Sequence, residues 1–304
     1  MDRKPRRRFD LRRLLSFPLL QAAGDRGGVS PSEGELLFEL TGQNPGNLLF
    51  GRFDAAEVRS RLARAGILEG LARRGYPDPL LLLECEEPEE QRVSLFAGQA
   101  SRDRLLVEAR LQLCRFHPRK PIGPFTVEST FRMLIIHWLS LSDPDRPFTP
   151  DRPRLPGQHR PGLGLLPQSI ALLRELGREL SLDGVLDVPD HFHTALLYAR
   201  AFRFLDPEHE GRFQAMVRDL GGVPLALVSE AIEMGCLIHP ETLKPLPWEP
   251  AEQVLPVRGP LRAHLASSEY RSVRDKAFAA FRAGIDWDRY RVKIAEKGAA
   301  GKYP

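Results

Sequence analysis

The stretch Leu155–Asp206 constrains this 304-residue chain more than any other, because it reads glycine loop, helix, strand, helix, strand in about fifty residues. It opens with Leu-Pro-Gly-Gln-His-Arg-Pro-Gly-Leu-Gly (Leu155–Gly164) and runs into the apolar-periodic segment Leu165–Leu180. The short run Asp183–Val188 follows, then Asp190–Phe202. A glycine-rich turn that opens a helix leaves backbone N–H groups without partners one turn back, which suits a phosphate-bearing ligand. The same letters also make an ordinary turn, and short glycine motifs recur without function.

The strands upstream set the fold class. Pro79–Glu86, Arg92–Ala97 and Arg104–Phe116 read as strands, the last with alternating apolar and polar positions, as in an antiparallel strand with one wet face. Phe131–Leu141 is apolar on both faces and should be a central strand. Glu35–Leu40 reads as a first strand and Gly42–Gly46 as a turn. Asp54 is an N-cap for Ala55–Arg74, which Gly66 and Gly70 either weaken or divide into two helices. Between Ser142 and Gly162 stand six prolines, which exclude helix and inner strand and leave a long ordered loop or flap. After Asp206 the texture turns helical, with Pro207–Leu220, Val223–Gly235 and Glu269–Ala283 and a connection over Ile238–Leu261. The expected class is α+β: a mixed, mainly antiparallel sheet flanked by helices, with an added helical C-terminal segment. The expected divisions are a basic arm over 1–34, a core over 35–206 and an extension over 207–304.

Charge narrows the function classes. Met1–Arg13 holds seven Lys/Arg against two Asp, while the remainder has 37 basic and 38 acidic residues. The basicity lies in the arm, so the folded body offers no basic face for nucleic acid. The arm reads as a solvated segment or as a patch for anionic lipid, RNA or an acidic protein. Three cysteines, Cys85, Cys114 and Cys236, lie far apart without metal spacing, which fits reduced thiols in a cytoplasmic protein. No apolar run is long enough to span a membrane. Arg6–Phe9 followed by Leu14–Ala23 has the outline of an export signal, but its apolar part is short and interrupted by Ser16, Pro18 and Gln21.

The order of elements resembles the GNAT superfamily of acyl-CoA-dependent N-acyltransferases over roughly Glu35–Leu205. In that family a loop of the form Gln/Arg-x-x-Gly-x-Gly/Ala holds the CoA pyrophosphate, and His159-Arg-Pro-Gly162-Leu-Gly164 occupies the slot. A later family helix carries a tyrosine that protonates the leaving thiolate, and Leu197-Tyr198-Ala-Arg200-Ala-Phe202 looks similar. The chain departs from the pattern in several places: His159 replaces Gln/Arg, Pro161 removes an N–H, Phe202 stands at a glycine position, His191 stands where Asn is frequent, and the proline-rich segment separates strand from loop. The resemblance implies acetyl-CoA or another acyl-CoA as co-substrate, held by His159, Arg160, Gly162, Leu163 and Gly164. It implies an amine acceptor, on a small molecule or a protein, with Tyr198 as acid.

The candidates for the base, near the central strand and the flap, are His137, Asp143 and His193, with His137 or Asp143 preferred. Each residue also has a plain reading: His137 as a bonded core histidine, Tyr198 as a core aromatic at the border of the stripe Phe192, Ala195, Leu196, Ala199 and Phe202. Two other classes stay open. One is a binding or scaffold protein on the same fold. The other is a metal-dependent hydrolase at His191, His193 and His209, near the carboxylates Asp187, Asp190, Asp206, Glu208 and Glu210, although residues two apart on a helix diverge and no metal is expected. The apolar face of the C-terminal helix around Tyr270, Val273 and Phe278 would bury against the body or form a wall in a homodimer.

Overall fold

The computed structural model describes residues 48–300. The expected basic arm, the strand Glu35–Leu40 and the turn Gly42–Gly46 lie outside the described residues. The architecture is α+β, with a mainly antiparallel sheet and flanking helices. Two compact units divide the chain. The first takes in residues up to Pro121, then Phe125–Asp145 and Gly162–Val185; the second takes Ile122–Pro124, Arg146–Pro161 and the chain from Leu186 on.

In the first unit, Asp54 caps helix α1 (Ala55–Arg64) through a reciprocal box. Its carboxylate accepts from Glu57 N at 2.7 Å, and the Glu57 carboxylate accepts from Asp54 N at 3.0 Å. Gly66, at φ +77, breaks the helical path and divides the segment into two helices, α2 (Ile67–Ala72) following with Gly70 inside it. Strands β1 (Leu80–Glu84), β2 (Gln91–Phe96), β3 (Leu105–Phe116) and β4 (Phe131–Leu141) pair in sequence order, each antiparallel to the last. Leu81 and Leu83 of β1, Val93 and Leu95 of β2 and Val107 of β3 pack with Val58, Leu62, Ile67 and Leu71 of the helices. The same core takes Leu172 and Leu176 of α3 (Leu166–Glu179), whose Pro167 sits in the first turn, where a missing N–H costs nothing. The register of β3 and β4 slips once: Arg110 faces Trp138 but Leu111 faces Ile136, so His137 is the extra residue of a bulge. Asp183 fixes the entry to β5 (Gly184–Asp187), its N–H donating to Arg132 O and its carboxylate accepting from Arg132 N, both at 2.8 Å.

In the second unit, α4 (Phe192–Tyr198), β6 (Arg203–Phe204), α5 (Pro207–Leu220) and α6 (Leu225–Glu233) follow β5. Asp206 caps α5, accepting from Glu208 N at 2.9 Å. The expectation of a purely helical tail needs correction. The segment after Asp206 also carries β7 (Leu237–Ile238), β8 (Gln253–Pro256) and β9 (Gly284–Ile285), with α7 (Gly259–Ala266), α8 (Ser268–Ala280) and α9 (Trp287–Ala300) between and after them. Strand β8 stands between β5 and β6, antiparallel to β6, with Gln253, Val254 and Leu255 buried. The strand is four residues long, begins three residues after Pro250 and ends on Pro256, too short a pattern to read as an inner strand. The proline-rich residues 146–161 form turns and a single bridge, Thr149 to Arg152. No helix among the described residues is long and apolar enough to cross a membrane.

Candidate functional site

The glycine entry to α3 belongs to the first unit from Gly162 on. Leu163 is fully buried, and its N–H donates to Leu141 O at the end of β4, at 3.0 Å. This corrects the expectation of three amides for a ligand: the Leu163 amide is already used. Gly162 and Gly164, on either side, are exposed. Gly164 holds φ +66, whereas Gly162 lies outside the left-handed region, and a Cβ there would meet only Leu141 O, at 3.6 Å. Helix α3 then starts without a side-chain cap and without an acidic residue in its first turn. Its N-terminal end therefore keeps the positive potential of unpaired amides.

Three residues of the preceding helices shape this entry. A Cβ on Gly66 would stand 3.9 Å from Gln168 Cγ, and one on Gly70 would overlap Leu165 Cδ2. Gly70, which reads in the sequence as weakening a helix, is thus where the start of α3 packs closely. One turn beyond Gly70, Arg74 donates from Nη1 to Gly70 O at 2.8 Å, and its Nη2 lies 3.2 Å from where a Cβ on Gly164 would be. Arg74 brings a guanidinium to the glycine entry, a contribution no motif in the sequence announces.

Two more expected residues lie in this unit. His137 is lifted out of the β4 register by the bulge, and its Nε2 is 2.9 Å from Oε1 of buried Gln112. Asp143 is buried; its Oδ1 accepts from the Tyr76 hydroxyl at 2.7 Å and from Asp145 N at 3.3 Å. Burial, then the Asp143 carboxylate, pushes the Tyr76 phenol far above its ordinary value, so Tyr76 stays a donor. Asp143 thus closes a buried pair with Tyr76, and His137 is the more open of the two.

His159 and Arg160 fall in the second unit, within the proline-rich segment, His159 exposed and Arg160 half-buried. Nearby in sequence, Gly157 at φ +78 leaves its missing Cβ 3.2 Å from His191 Nε2, and His191 Nδ1 lies 3.2 Å from Glu233 Oε2. His191 and His193 stack, with ring centroids 5.1 Å apart. His209 instead packs on Phe204 at 4.4 Å and near Trp248 at 6.4 Å. Among the described residues no group of three His, Cys, Asp or Glu is placed to hold a metal ion.

Tyr198 is 5% exposed and stacks on Phe202 at 5.1 Å. Burial, with the Asp187 charge adding, lifts its phenol well above the ordinary value, so it is a held proton rather than a ready acid. Asp187, the last residue of β5, stands out in the sequence only as one of the carboxylates near the three histidines. Its carboxyl is lifted from 3.8 to about 7 by burial, with the Asp190 charge adding and the Val188 N–H opposing. Oδ2 has no hydrogen-bond partner. His193, 5% exposed, is held neutral, its imidazole lowered to about 4 by burial and then by His191. The signal for a buried Asp187 was an acidic residue inside the otherwise apolar run Gly184–Val188.

Neither a family model, a curated protein nor a solved structure matches the chain.

Proposed function

We propose that the protein is an acyl-CoA-dependent N-acyltransferase with a GNAT-like core, transferring an acyl group from a thioester to an amine. The observation that carries this reading is the entry to α3: exposed Gly162 and Gly164, an uncapped helix start without acidic residues, and the Arg74 guanidinium beside Gly164. Oriented N–H groups and a planar fork of donors are what a diphosphate requires. The succession of antiparallel strands, glycine entry, helix, β5 and the tyrosine helix α4 supports the same reading. His137, the extra residue of the β4 bulge and half-buried, is the base in this reading.

The test is calorimetric titration with CoA and acetyl-CoA. Gly162→Glu is a clean variant, because the position is exposed, needs no left-handed backbone and has room for a Cβ. It should fold normally and lose CoA binding by at least tenfold, since a carboxylate would face the diphosphate. Equal binding by the variant and the parent protein would remove the reading.

A second reading, a non-catalytic binding protein on the same scaffold, is favoured by two observations. The Leu163 amide is committed to Leu141 O, and Tyr198 is buried against Phe202. Absence of binding for every acyl-CoA would select it.

A further inference from the structure

Strand β1 is the last of its sheet and bonds, among the described residues, to β2 alone. Leu81 and Leu83 pack against the core of the first unit, while Leu80 and Leu82 stand 43% and 41% exposed. Four successive leucines on an open edge, with no proline or lysine among them, make a surface that proteins normally cover. Beside this edge lies a cavity of about 400 Å³ walled by Ala55 and Ala56 of α1, Pro79, Leu80, Leu81 and Gly98. The edge thus has both apolar surface and room for an occupant.

Charge says what that occupant is. The turn from β1 to β2 holds Glu84, Glu86, Glu87, Glu89 and Glu90 within seven residues. Arg92 lies 3.2 Å from Glu84 and 3.6 Å from Glu90, so the two ends of the turn are paired. Glu86, Glu87 and Glu89 between them are exposed, and no cation among the described residues pairs with them. The chain's strongly basic segment is Met1–Arg13, followed directly by Leu14, Leu15, Phe17, Leu19 and Leu20. The residues before Leu48 join the described fold beside the acidic turn. Phe50 N donates to Gln91 Oε1 at 2.6 Å, next to Glu90, and Leu49 packs in the same core as Val93 of β2. At about 3.3 Å per extended residue, the chain from Arg13 to Leu48 is ample to return along β1.

We propose that the segment Arg6–Leu20 docks on the β1 edge of its own chain. Its arginines meet Glu86, Glu87 and Glu89, and its apolar residues cover Leu80, Leu82 and the cavity beside them. Exposed ion pairs contribute little and are screened by salt, so the charges set where the segment lands and the apolar half holds it.

Hydrogen exchange on the full chain, read at the Leu80–Glu84 amides, tests this. Glu86→Lys, Glu87→Lys and Glu89→Lys, made together, reverse the charge of an exposed turn and leave β1 itself unaltered. This triple variant should speed exchange in β1 by about tenfold or more, and so should Arg6→Glu, Arg7→Glu and Arg8→Glu together. Combining both sets should restore the parent's protection, which a merely destabilised turn would not do. Protection should be the same at about 1 and 100 μM protein, because a tethered segment binds at its own effective concentration. Equal exchange in the parent and both triple variants, or no recovery in the combined protein, would overturn the proposal. Protection that rises with protein concentration would overturn it too, by placing the segment on a second copy of the chain.

Discussion

The start of α3 and the end of β5 are opposite electrostatic cases within one chain. At α3 the unmet groups are donors, exposed to water on glycine backbone, with a guanidinium alongside. At β5 they are acceptors, Asp187 Oδ2 and Gln253 Oε1, both buried. Water satisfies the first set at little cost, so it burdens stability hardly at all. The second set has no such relief. Regions that look equally "polar" in sequence therefore differ in what they cost the fold, and the costly one is better evidence of a ligand.

The largest effect that would break this contrast is the pH response of Asp187. Its folded-state value is raised, so the folded protein holds more protons than the unfolded chain between pH 3.8 and about 7. Stability from this group is greatest at the acid end and is lost as pH rises through about 7. His193, lowered from 6.5 to about 4, acts in the opposite sense, its share being lost as pH falls through that window. Of these two groups, Asp187 is the one that weighs on the fold above pH 7, by about 4 kcal/mol. Asp187→Asn should therefore gain most over the parent protein at pH 8 and least at pH 5 in urea denaturation. A flat difference between the two pH values would mean that the carboxylate is already solvated.

Smaller effects test the exposed side of the comparison. Gly70→Ala forces its Cβ onto Leu165 and should cost about 2 kcal/mol despite alanine's better helix propensity, measured by urea unfolding. Arg74→Gln should weaken CoA roughly tenfold in calorimetry, the size expected for one charge-assisted contact. Least of all, Gly162→Ala should leave the unfolding midpoint unchanged, while Gly164→Ala, at φ +66 and against Arg74, should cost about 1 kcal/mol. Equal costs at the two positions would show that the glycine entry is set by something other than backbone conformation.

Much of the fold was legible because its determinants are local. The alternation in β3, the apolar run of β4, the caps Asp54 and Asp206 and the position of Pro167 each act within a turn or a strand. The glycine entry was legible as a motif, but not the use of the Leu163 amide, which depends on Leu141. The place of Arg74 and the burial of the Asp187 carboxyl were hidden for the same reason. The first matters because Gly66 and Gly70 let α3 approach, the second because the elements around β5 exclude water. Neither fact has a periodicity or a spacing to betray it. His137 was picked out as an interruption of the most apolar strand, and the register slip gives that interruption its physical form.

The hydrogen bond from Leu163 to Leu141 has one more consequence. It references the helix start to the strand end directly, so the chain running between them through residues 146–161 need not act as the ruler. Shortening, lengthening or replacing that proline-rich span should leave the spacing of Gly162 and Gly164 intact. The span is thereby free to change its contacts while the glycine entry keeps its gauge.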